Sequence, residues 1–359
     1  MIYYIIKRIL LIIPTLIGIM AINFLVIQIV PGGPVEDMMA KLSHITDTGA
    51  ISRLTSGGGN ETIETRFYRG ASGIEEEIRL ELTRLYGLDK PPLERFFIML
   101  KQYFTFDFGT SFYRDRTVIE LVIEKLPVSI SLGLWTTLII YLISIPIGIL
   151  KAIRDGSRFD ISTSTIIMVG YAIPNFLFAI LLIIVFAGGE YFQWFPLRGL
   201  VSEDFAELSL GEKIIDYFHH LTLPVIAMTI SGFAGLTLLT KNSFIDEIHK
   251  QYVTTARAKG LAEPQIIIQH VFRNAMLLII SSFPGALVAL LFTSSLLIEV
   301  IFSLDGLGLL GFEATVRHDY PIMFGTLFFF SLLGLVLKLV SDLLYVLIDP
   351  RIDFEKRAG

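Results

Sequence analysis

The sequence predicts an all-α polytopic membrane protein with six transmembrane helices and one water-exposed domain. Hydrophobic residues make up 53% of its 359 residues, whereas charged residues make up only 18%. Several unbroken apolar runs reach about 20 residues, the length that a helix needs to cross the hydrocarbon core of a bilayer. Between the first and second runs lies a long stretch of mixed composition, which predicts a domain outside the lipid.

The composition also excludes several functional classes. The formal net charge of −5 argues against a nucleic-acid partner. The chain has no cysteine, which excludes disulfides, thiolate catalysis and zinc sites built from cysteine. It lacks a GxxxxGK[ST] motif, so any dependence on ATP and Mg²⁺ must come from a partner subunit.

The first predicted transmembrane helix occupies residues 1–30, with its apolar part from Ile9 to Val30. Its basic start is typical of a signal peptide, but the apolar run is too long for one and no small-residue cleavage pattern follows it. We therefore expect an uncleaved membrane span. The Pro- and Gly-rich residues 31–34 end this helix.

Residues 31–127 are expected to form an extracytoplasmic domain between the first two spans. Residues 47–73 are polar and rich in Gly, Ser and Thr, as is typical of a loop. In the rest of the domain, apolar residues recur with helical spacing. They predict three helices, over residues 74–86, 93–104 and 118–125.

Residues 128–349 predict a transmembrane core of five further spans, which includes the polar segment 241–275, and residues 350–359 predict a polar tail. The five spans are expected at about Val128–Leu150, Ile161–Ala187, Leu221–Thr240, Met276–Ile298 and Pro321–Leu347. Prolines lie within or at the start of several spans, where they kink helices and free backbone groups that neighbours must satisfy. Kinked spans are compatible with a transport path and are also common in other membrane bundles.

Lysine and arginine are distributed unequally between the two sides of the predicted membrane. Thirteen of them lie at the termini, between spans 2 and 3, or in residues 241–275, whereas the short loops of the other side hold three. An excess of Lys and Arg marks the cytoplasmic side. Both termini and residues 241–275 are therefore expected in the cytoplasm, and the domain of residues 31–127 outside it.

Residues 241–275 form a polar segment between two apolar spans and carry five basic side chains. Ser243 with Asp246 three residues later predicts the start of a helix. By charge alone, the segment could also be an ordinary basic loop that only fixes the topology.

Within this segment, Tyr252–Lys259 predicts a short helix that ends at Gly260 in the left-handed conformation. Pro264 fits the first turn of a second short helix. The sequence therefore predicts two short helices that meet around Gly260 in water.

Four polar residues within or at the ends of the spans are candidates for a translocation path: Asn175, Glu299, Lys338 and Asp342. Such groups are costly in lipid and usually face protein or water. Lys338 and Asp342 lie four residues apart on span 6 and could instead form a structural ion pair. Glu299 could equally be a simple carboxylate at the membrane interface.

Two other patterns do not predict a chemical site. Residues Gly306–Gly311 read GxGxxG, but they follow a membrane span rather than a strand, and no acid lies about 20 residues later. We expect these glycines to let a short turn segment pack closely. His219 and His220 lack further ligands at metal-binding spacing, so no metal-binding or catalytic residue is predicted.

The stretch from Tyr252 to Gly260 resembles the cytoplasmic coupling ("EAA") loop of binding-protein-dependent ABC importer permeases of the dipeptide/oligopeptide/nickel family. Ala256 and Gly260 match the pattern, whereas Thr254 and Thr255 stand where Glu and Ala are usual. The resemblance extends over the whole chain. Its other motifs lie at residues 31–34, 84–91, 106–112, 270–276 and 296–311.

This resemblance implies a type I ABC importer permease of the bacterial inner membrane. It implies three partners: a second related permease, ATPase subunits that bind ATP and Mg²⁺, and an extracytoplasmic peptide-binding protein. It also implies import of peptides such as oligopeptides or microcin C-like compounds. The residues expected to contact the ATPase are Tyr252, Thr254, Thr255, Ala256, Arg257, Ala258, Lys259 and Gly260.

Two functions from other classes remain as alternatives. An ion-coupled secondary transporter could use the intramembrane charges, but the chain has no clear internal repeat of the kind that such transporters contain. A membrane-embedded hydrolase would need a catalytic pair at convincing spacing, which the sequence does not contain.

Overall fold

The computed structural model describes residues 2–29, 80, 83, 89–189, 191–292 and 295–348. Within these ranges the regular structure is helical, apart from one antiparallel bridge between Thr110 and Thr117. The main helices are α1 (Ile2–Ile29), α2 (Pro92–Phe104), α3 (Val118–Ile153), α4 (Arg158–Ala172), α5 (Asn175–Phe186), α6 (Leu210–Ile248), α7 (Gln251–Ala258), α8 (Glu263–Ile266), α9 (Phe272–Phe292), α10 (Ser295–Ile301), α11 (Leu307–Val316) and α12 (Tyr320–Ile348). The predicted all-α fold is confirmed.

Five of the described helices are long and apolar enough to cross a membrane, and a sixth span results if the bent pair of α4 and α5 is counted as one. The apolar ranges are Ile5–Val26, Val118–Ile153, Leu210–Ile248, Glu263–Phe283 and Tyr320–Val340. The number of spans therefore agrees with the prediction. The predicted loop over residues 47–73 and the tail over residues 350–359 lie outside the described residues, as does most of the predicted helix 74–86.

The third span is not the continuous helix that the sequence predicts over Ile161–Ala187. It breaks into α4 and α5, which meet at 91°. The break falls at Ile173, which has extended dihedral angles (φ −84°, ψ 120°). Pro174 follows, and a proline disfavours the helical conformation of the residue before it. Because the residues on both sides of Pro174 are apolar, run length alone predicted one continuous span.

Two predicted helix boundaries, the end at residue 125 and the start at Ser243, are wrong because longer helices run through them, whereas the predicted start at Val118 agrees with the structure. Residues 118–125 are not a separate helix but the first turns of α3, so the predicted domain boundary after residue 127 lies inside a helix. Ser243 does not cap a helix, because α6 begins at Leu210 and continues to Ile248. The cap of α6 is Ser209, which forms a reciprocal capping box with Glu212.

Span 5 also differs from the predicted range, Met276–Ile298. Its apolar helical range begins earlier, at Glu263, and Ile298 belongs to the separate helix α10. Span 6 was predicted over Pro321–Leu347 and is observed as α12.

The chain divides into two compact units. The first comprises Met1–Ile12, Ile123–Leu310 and Leu332–Gly359. Its core contains two clusters of buried apolar side chains. One cluster is centred on Leu132, Leu221, Met228 and Ile298, and the other on Phe244, Val253, Ile266 and Ile279.

The second unit comprises Ile13–Val122 and Gly311–Ser331. Aromatic rings fill its core: Tyr103 packs edge-to-face on Phe108, with ring centroids 5.0 Å apart, and Phe108 packs on Phe328 at 5.5 Å. A buried carboxylate, Asp319, accepts a hydrogen bond from Ser111 Oγ at 2.5 Å. Rings and buried hydrogen bonds together stabilise this unit.

Candidate functional site

The two short helices predicted around Gly260 are present. Helix α7 ends at Ala258, and Gly260 has φ +84°, the left-handed conformation predicted for it. The Gly260 N–H donates to the Arg257 carbonyl at 2.9 Å, and the Leu261 N–H donates to the Ala256 carbonyl at 3.3 Å. These two bonds form a complete Schellman motif, which satisfies carbonyls at the helix end.

Helix α7 has a buried face and an exposed face. Val253 and Ala256 are buried in the cluster that includes Phe244 and Ile266, so the helix is fixed to α6 and α8 by apolar contacts. Of the eight residues predicted to contact an ATPase, Ala256 is thus buried and Tyr252 is half-buried. The other six are exposed: Thr254, Thr255, Arg257, Ala258, Lys259 and Gly260.

An ion pair crosses the turn between α7 and α8. Arg257 Nε donates to Glu263 Oε1 at 2.5 Å, and Arg257 Nη2 donates to Glu263 Oε2 at 3.2 Å. The carboxylate raises the pKa of the Arg257 guanidinium, which stays charged. Both side chains are substantially exposed, so the pair orients the turn more than it stabilises the protein.

Polar contacts also join the two ends of the segment 241–275, where it meets α6 and α9. Tyr252 Oη donates to Glu247 Oε2 at 2.5 Å, and Asn274 Nδ2 donates to Tyr252 Oη at 3.3 Å. Burial and the bond to Glu247 raise the pKa of Tyr252, so the phenol keeps its proton. Ser243, predicted as a helix cap, instead donates from Oγ to the Ala275 carbonyl at 2.7 Å. The end of α6 and the start of α9 are thus linked directly.

A π-helical turn over Ile267–Val271 joins α8 to α9. Such turns are rare and often occur at functional sites. This turn was not predicted from the sequence, and its β-branched residues are common in membrane helices generally.

Glu299 is completely buried, and its contacts are those of a helix-capping carboxylate. The Leu309 N–H, in the first turn of α11, donates to Glu299 Oε2 at 2.7 Å. The Leu307 N–H donates to Ser129 Oγ at 2.8 Å. A Cβ on Gly306 would lie 2.4 Å from Glu299 Oε1, so this glycine permits the close packing that the sequence predicts.

The other three path candidates lie elsewhere. Asn175 is half-buried and is the first residue of α5, directly after the break in span 3. Lys338 Nζ lies 4.0 Å from Asp342 Oδ1, at the limit of an ion pair, and the Lys338 side chain is 61% exposed. Arg8 Nη2 lies closer to Asp342, at 2.9 Å from Oδ2. Sequence reasoning missed Arg8 because it is distant in the chain.

The histidine pair is accounted for by local contacts. His219 Nε2 lies 2.6 Å from the Trp194 carbonyl, and His220 Nδ1 lies 2.9 Å from the Asp216 carbonyl. Throughout the part of the chain that the structure describes, no three side chains are grouped as metal ligands.

Comparison with known proteins identifies the family. Residues 144–354 match the family model described as "Binding-protein-dependent transport system inner membrane component". The chain is 59% identical to the peptidoglycan transport system permease protein YejB of Agrobacterium fabrum and 57% identical to the inner membrane ABC transporter permease protein YejB of Escherichia coli O157:H7. Each comparison covers 99% of both chains.

A more distant relative and a solved structure are also similar to this chain. The oligopeptide transport system permease protein AppB of Bacillus subtilis is 32% identical over 98% of this chain and 99% of its own length. The structure of the inward-facing MetNI methionine ABC transporter matches with a TM-score of 0.50 and 15% identity, over 64% of this chain and 97% of that one. At that identity the likeness shows the fold, which is that of a type I ABC importer permease.

Proposed function

The chain belongs to the family of inner-membrane components of binding-protein-dependent transport systems, as a YejB-type permease subunit of a peptide ABC importer, and we propose that residues 241–275 couple it to an ATPase. The observation that carries this proposal is the two-faced helix α7. Its inner face is fixed in the core by Val253 and Ala256, while its outer face presents Thr254 and Thr255 to solvent.

Movement of α7 would be passed to two membrane helices. The apolar cluster around Phe244 joins α7 to α6, and the bond from Ser243 to Ala275 joins α6 to α9. Because packed interiors deform little, a displaced α7 carries these helices with it. ATP and Mg²⁺ would bind to the partner ATPase, and peptide would cross between this chain and a second related permease.

The proposed orientation follows from the excess of lysine and arginine on one side. It places both termini and residues 241–275 in the cytoplasm. Residues 31–127 then lie outside, where an extracytoplasmic peptide-binding protein would dock. Asn175 is the first path candidate that we propose, because its half-buried polar side chain lies at the start of α5, directly after the break in span 3.

The substrate class that we propose is a short peptide. One relative is named for transport of peptidoglycan and another for transport of oligopeptides, and a peptide chain is common to both. Uptake of microcin C-like compounds stays a prediction.

A labelling experiment tests the coupling role. The chain has no cysteine, so Thr255→Cys introduces a single thiol on the outer face of α7. We expect a membrane-impermeant maleimide to modify it in inside-out vesicles, and bound ATPase subunits to protect it. Glu203→Cys, exposed in the connection before α6, is the control and should react only from the opposite side. Equal labelling of Thr255→Cys with and without ATPase would show that the segment is only a basic loop.

A further inference from the structure

A buried group of charges joins the ends of α3, α4 and α6. Lys151, in the last turn of α3, is completely buried, and its Nζ lies 2.8 Å from Asp160 Oδ1. The same ammonium donates to the Asp160 carbonyl at 2.7 Å, to Thr163 Oγ1 at 2.9 Å and to Ser164 Oγ at 2.6 Å. The end of α3 is therefore bonded to the first two turns of α4.

The second oxygen of the same carboxylate holds α6. Lys241 Nζ lies 2.7 Å from Asp160 Oδ2 and 2.8 Å from Asp155 Oδ1, and the Gly156 N–H donates to Asp160 Oδ2 at 3.1 Å. One carboxylate thus bridges two ammonium groups on different helices. Lys241 is also the first residue of the proposed coupling segment.

The two carboxylates differ in burial, and this difference identifies Asp160 as the central group. The Asp160 side chain is 7% exposed, whereas that of Asp155 is 54% exposed. Water can replace Asp155 as a partner of Lys241. It cannot replace Asp160, because removing one partner of a buried ion pair leaves the other charge uncompensated.

Close backbone packing accompanies this charge group. A Cβ on Gly148 would lie 2.6 Å from Thr240 Cβ, and a Cβ on Gly232 would lie 2.2 Å from Ile140 Cδ1. Small residues at helix contacts let membrane helices approach closely. Helices α3 and α6 therefore pack tightly next to the point where Asp160 links them.

We propose that Asp160 is a positioning residue that makes α3, α4 and α6 move as one body when the coupling segment moves. Apolar packing fixes α7 to α6 and also joins α6 to α3, because Ile140 and Ala152 belong to the same cluster as Phe244. The Asp160 carboxylate adds a polar connection that includes the start of α4, because it holds Lys241 and Lys151 at once. The proposal rests on the coupling role of residues 241–275 and extends it to the second and third spans.

The test uses the complete transporter in proteoliposomes, with permease levels matched. Asp160→Asn keeps the shape of the side chain and removes its charge. We expect ATPase association and ATP hydrolysis to persist while peptide uptake falls by about tenfold, within the range that substitutions in coupling networks produce. Asp155→Asn, which alters the exposed partner of the same lysine, is the matched control and should transport normally.

A double variant addresses the case in which Asp160→Asn does not accumulate. Lys151→Met with Asp160→Asn removes one positive and one negative charge and leaves Lys241 paired with Asp155. We expect it to restore the protein level without restoring uptake, because the bridge between the helices is still missing. Wild-type uptake by this double variant would overturn the proposal.

Spin labels give a readout that a purely structural role would not change. Arg158→Cys on α4 and Asp246→Cys on α6 are exposed sites in a chain without other cysteines. In the otherwise wild-type chain the distance between the labels should keep one narrow distribution with and without ATP, and Asp160→Asn should broaden or shift it on ATP addition. An identical distance response in both chains would refute the positioning role, even if the Thr255→Cys labelling supports coupling. If that labelling fails, the distances still report whether Asp160 holds the helices together.

Discussion

Arg257 and Glu263 form a two-point ion pair across the turn that separates α7 from α8, with Arg257 Nε 2.5 Å from Glu263 Oε1. The pair lies on the surface, and Gly260 lies between its members in sequence. A surface ion pair contributes little to stability, in the range of about 0–1 kcal/mol. The main effect of this ion pair is therefore to fix the direction of the end of α7.

Reversing the charge of Arg257 should weaken ATPase binding without unfolding the permease. Arg257→Glu places two carboxylates against each other, so the turn opens and α7 loses its fixed direction. We expect less ATPase to be recovered in a pull-down with tagged permease, and peptide uptake to fall in proportion. The exchange Arg257→Glu with Glu263→Arg restores the pair and should recover part of both.

Lys259→Glu is the control for this experiment. It changes the net charge by the same amount, and Lys259 has no ion pair among the residues that the structure describes. Equal losses in Lys259→Glu and Arg257→Glu would mean that surface charge, and not the ion pair, guides the ATPase.

Substitutions at Glu299 should separate its two predicted roles. Glu299→Ala leaves the partly buried Leu309 N–H without its acceptor, at a cost toward the lower end of about 1–3 kcal/mol. Glu299→Gln keeps an acceptor there and should change the melting temperature of the detergent-extracted protein much less. If Gln preserves stability yet abolishes uptake, then the carboxylate has a role in transport beyond helix capping.

Arg8 should contribute more than Lys338 to the environment of Asp342. Arg8 lies 2.9 Å from the carboxylate, whereas Lys338 lies at 4.0 Å and is largely exposed. A double-mutant cycle on thermal stability should give a larger interaction energy for Arg8 with Asp342 than for Lys338 with Asp342, which we expect below about 1 kcal/mol. A larger interaction energy for Lys338 with Asp342 than for Arg8 with Asp342 would instead support the ion pair predicted within span 6.

The sequence was sufficient for those features that depend on local chemistry. Apolar run length predicts the number of spans, and the glycine after a short polar helix predicts the left-handed turn that Gly260 forms. The motif from Tyr252 to Gly260, with the other motifs, predicts the family. These features need only neighbouring residues, so tertiary contacts did not alter them.

Features that depend on distant contacts were not predictable. The link from Lys151 through Asp160 to Lys241 joins residues up to 90 positions apart. In the sequence, these lysines indicate only which side of the membrane faces the cytoplasm. The sequence predicts Glu299 either in a translocation path or at the membrane interface, but its partners come from Ser129 and from the start of α11. Composition gives the cost of burying such a group but not the identity of its partner.

Gly260 offers the sharpest test of the coupling segment. A Cβ there would meet no other atom within 4 Å, so a substitution costs only the strain of the left-handed backbone. For a β-branched residue that strain is about 1–2 kcal/mol, too little to unfold the bundle but enough to displace the end of α7. Gly260→Val should therefore insert normally while ATPase recovery and peptide uptake fall together. Gly260→Asn is the matched control, because asparagine adopts this conformation more readily and should retain most of both. If Gly260→Val keeps full ATPase binding and full uptake at matched permease levels, the end of α7 is not the docking element.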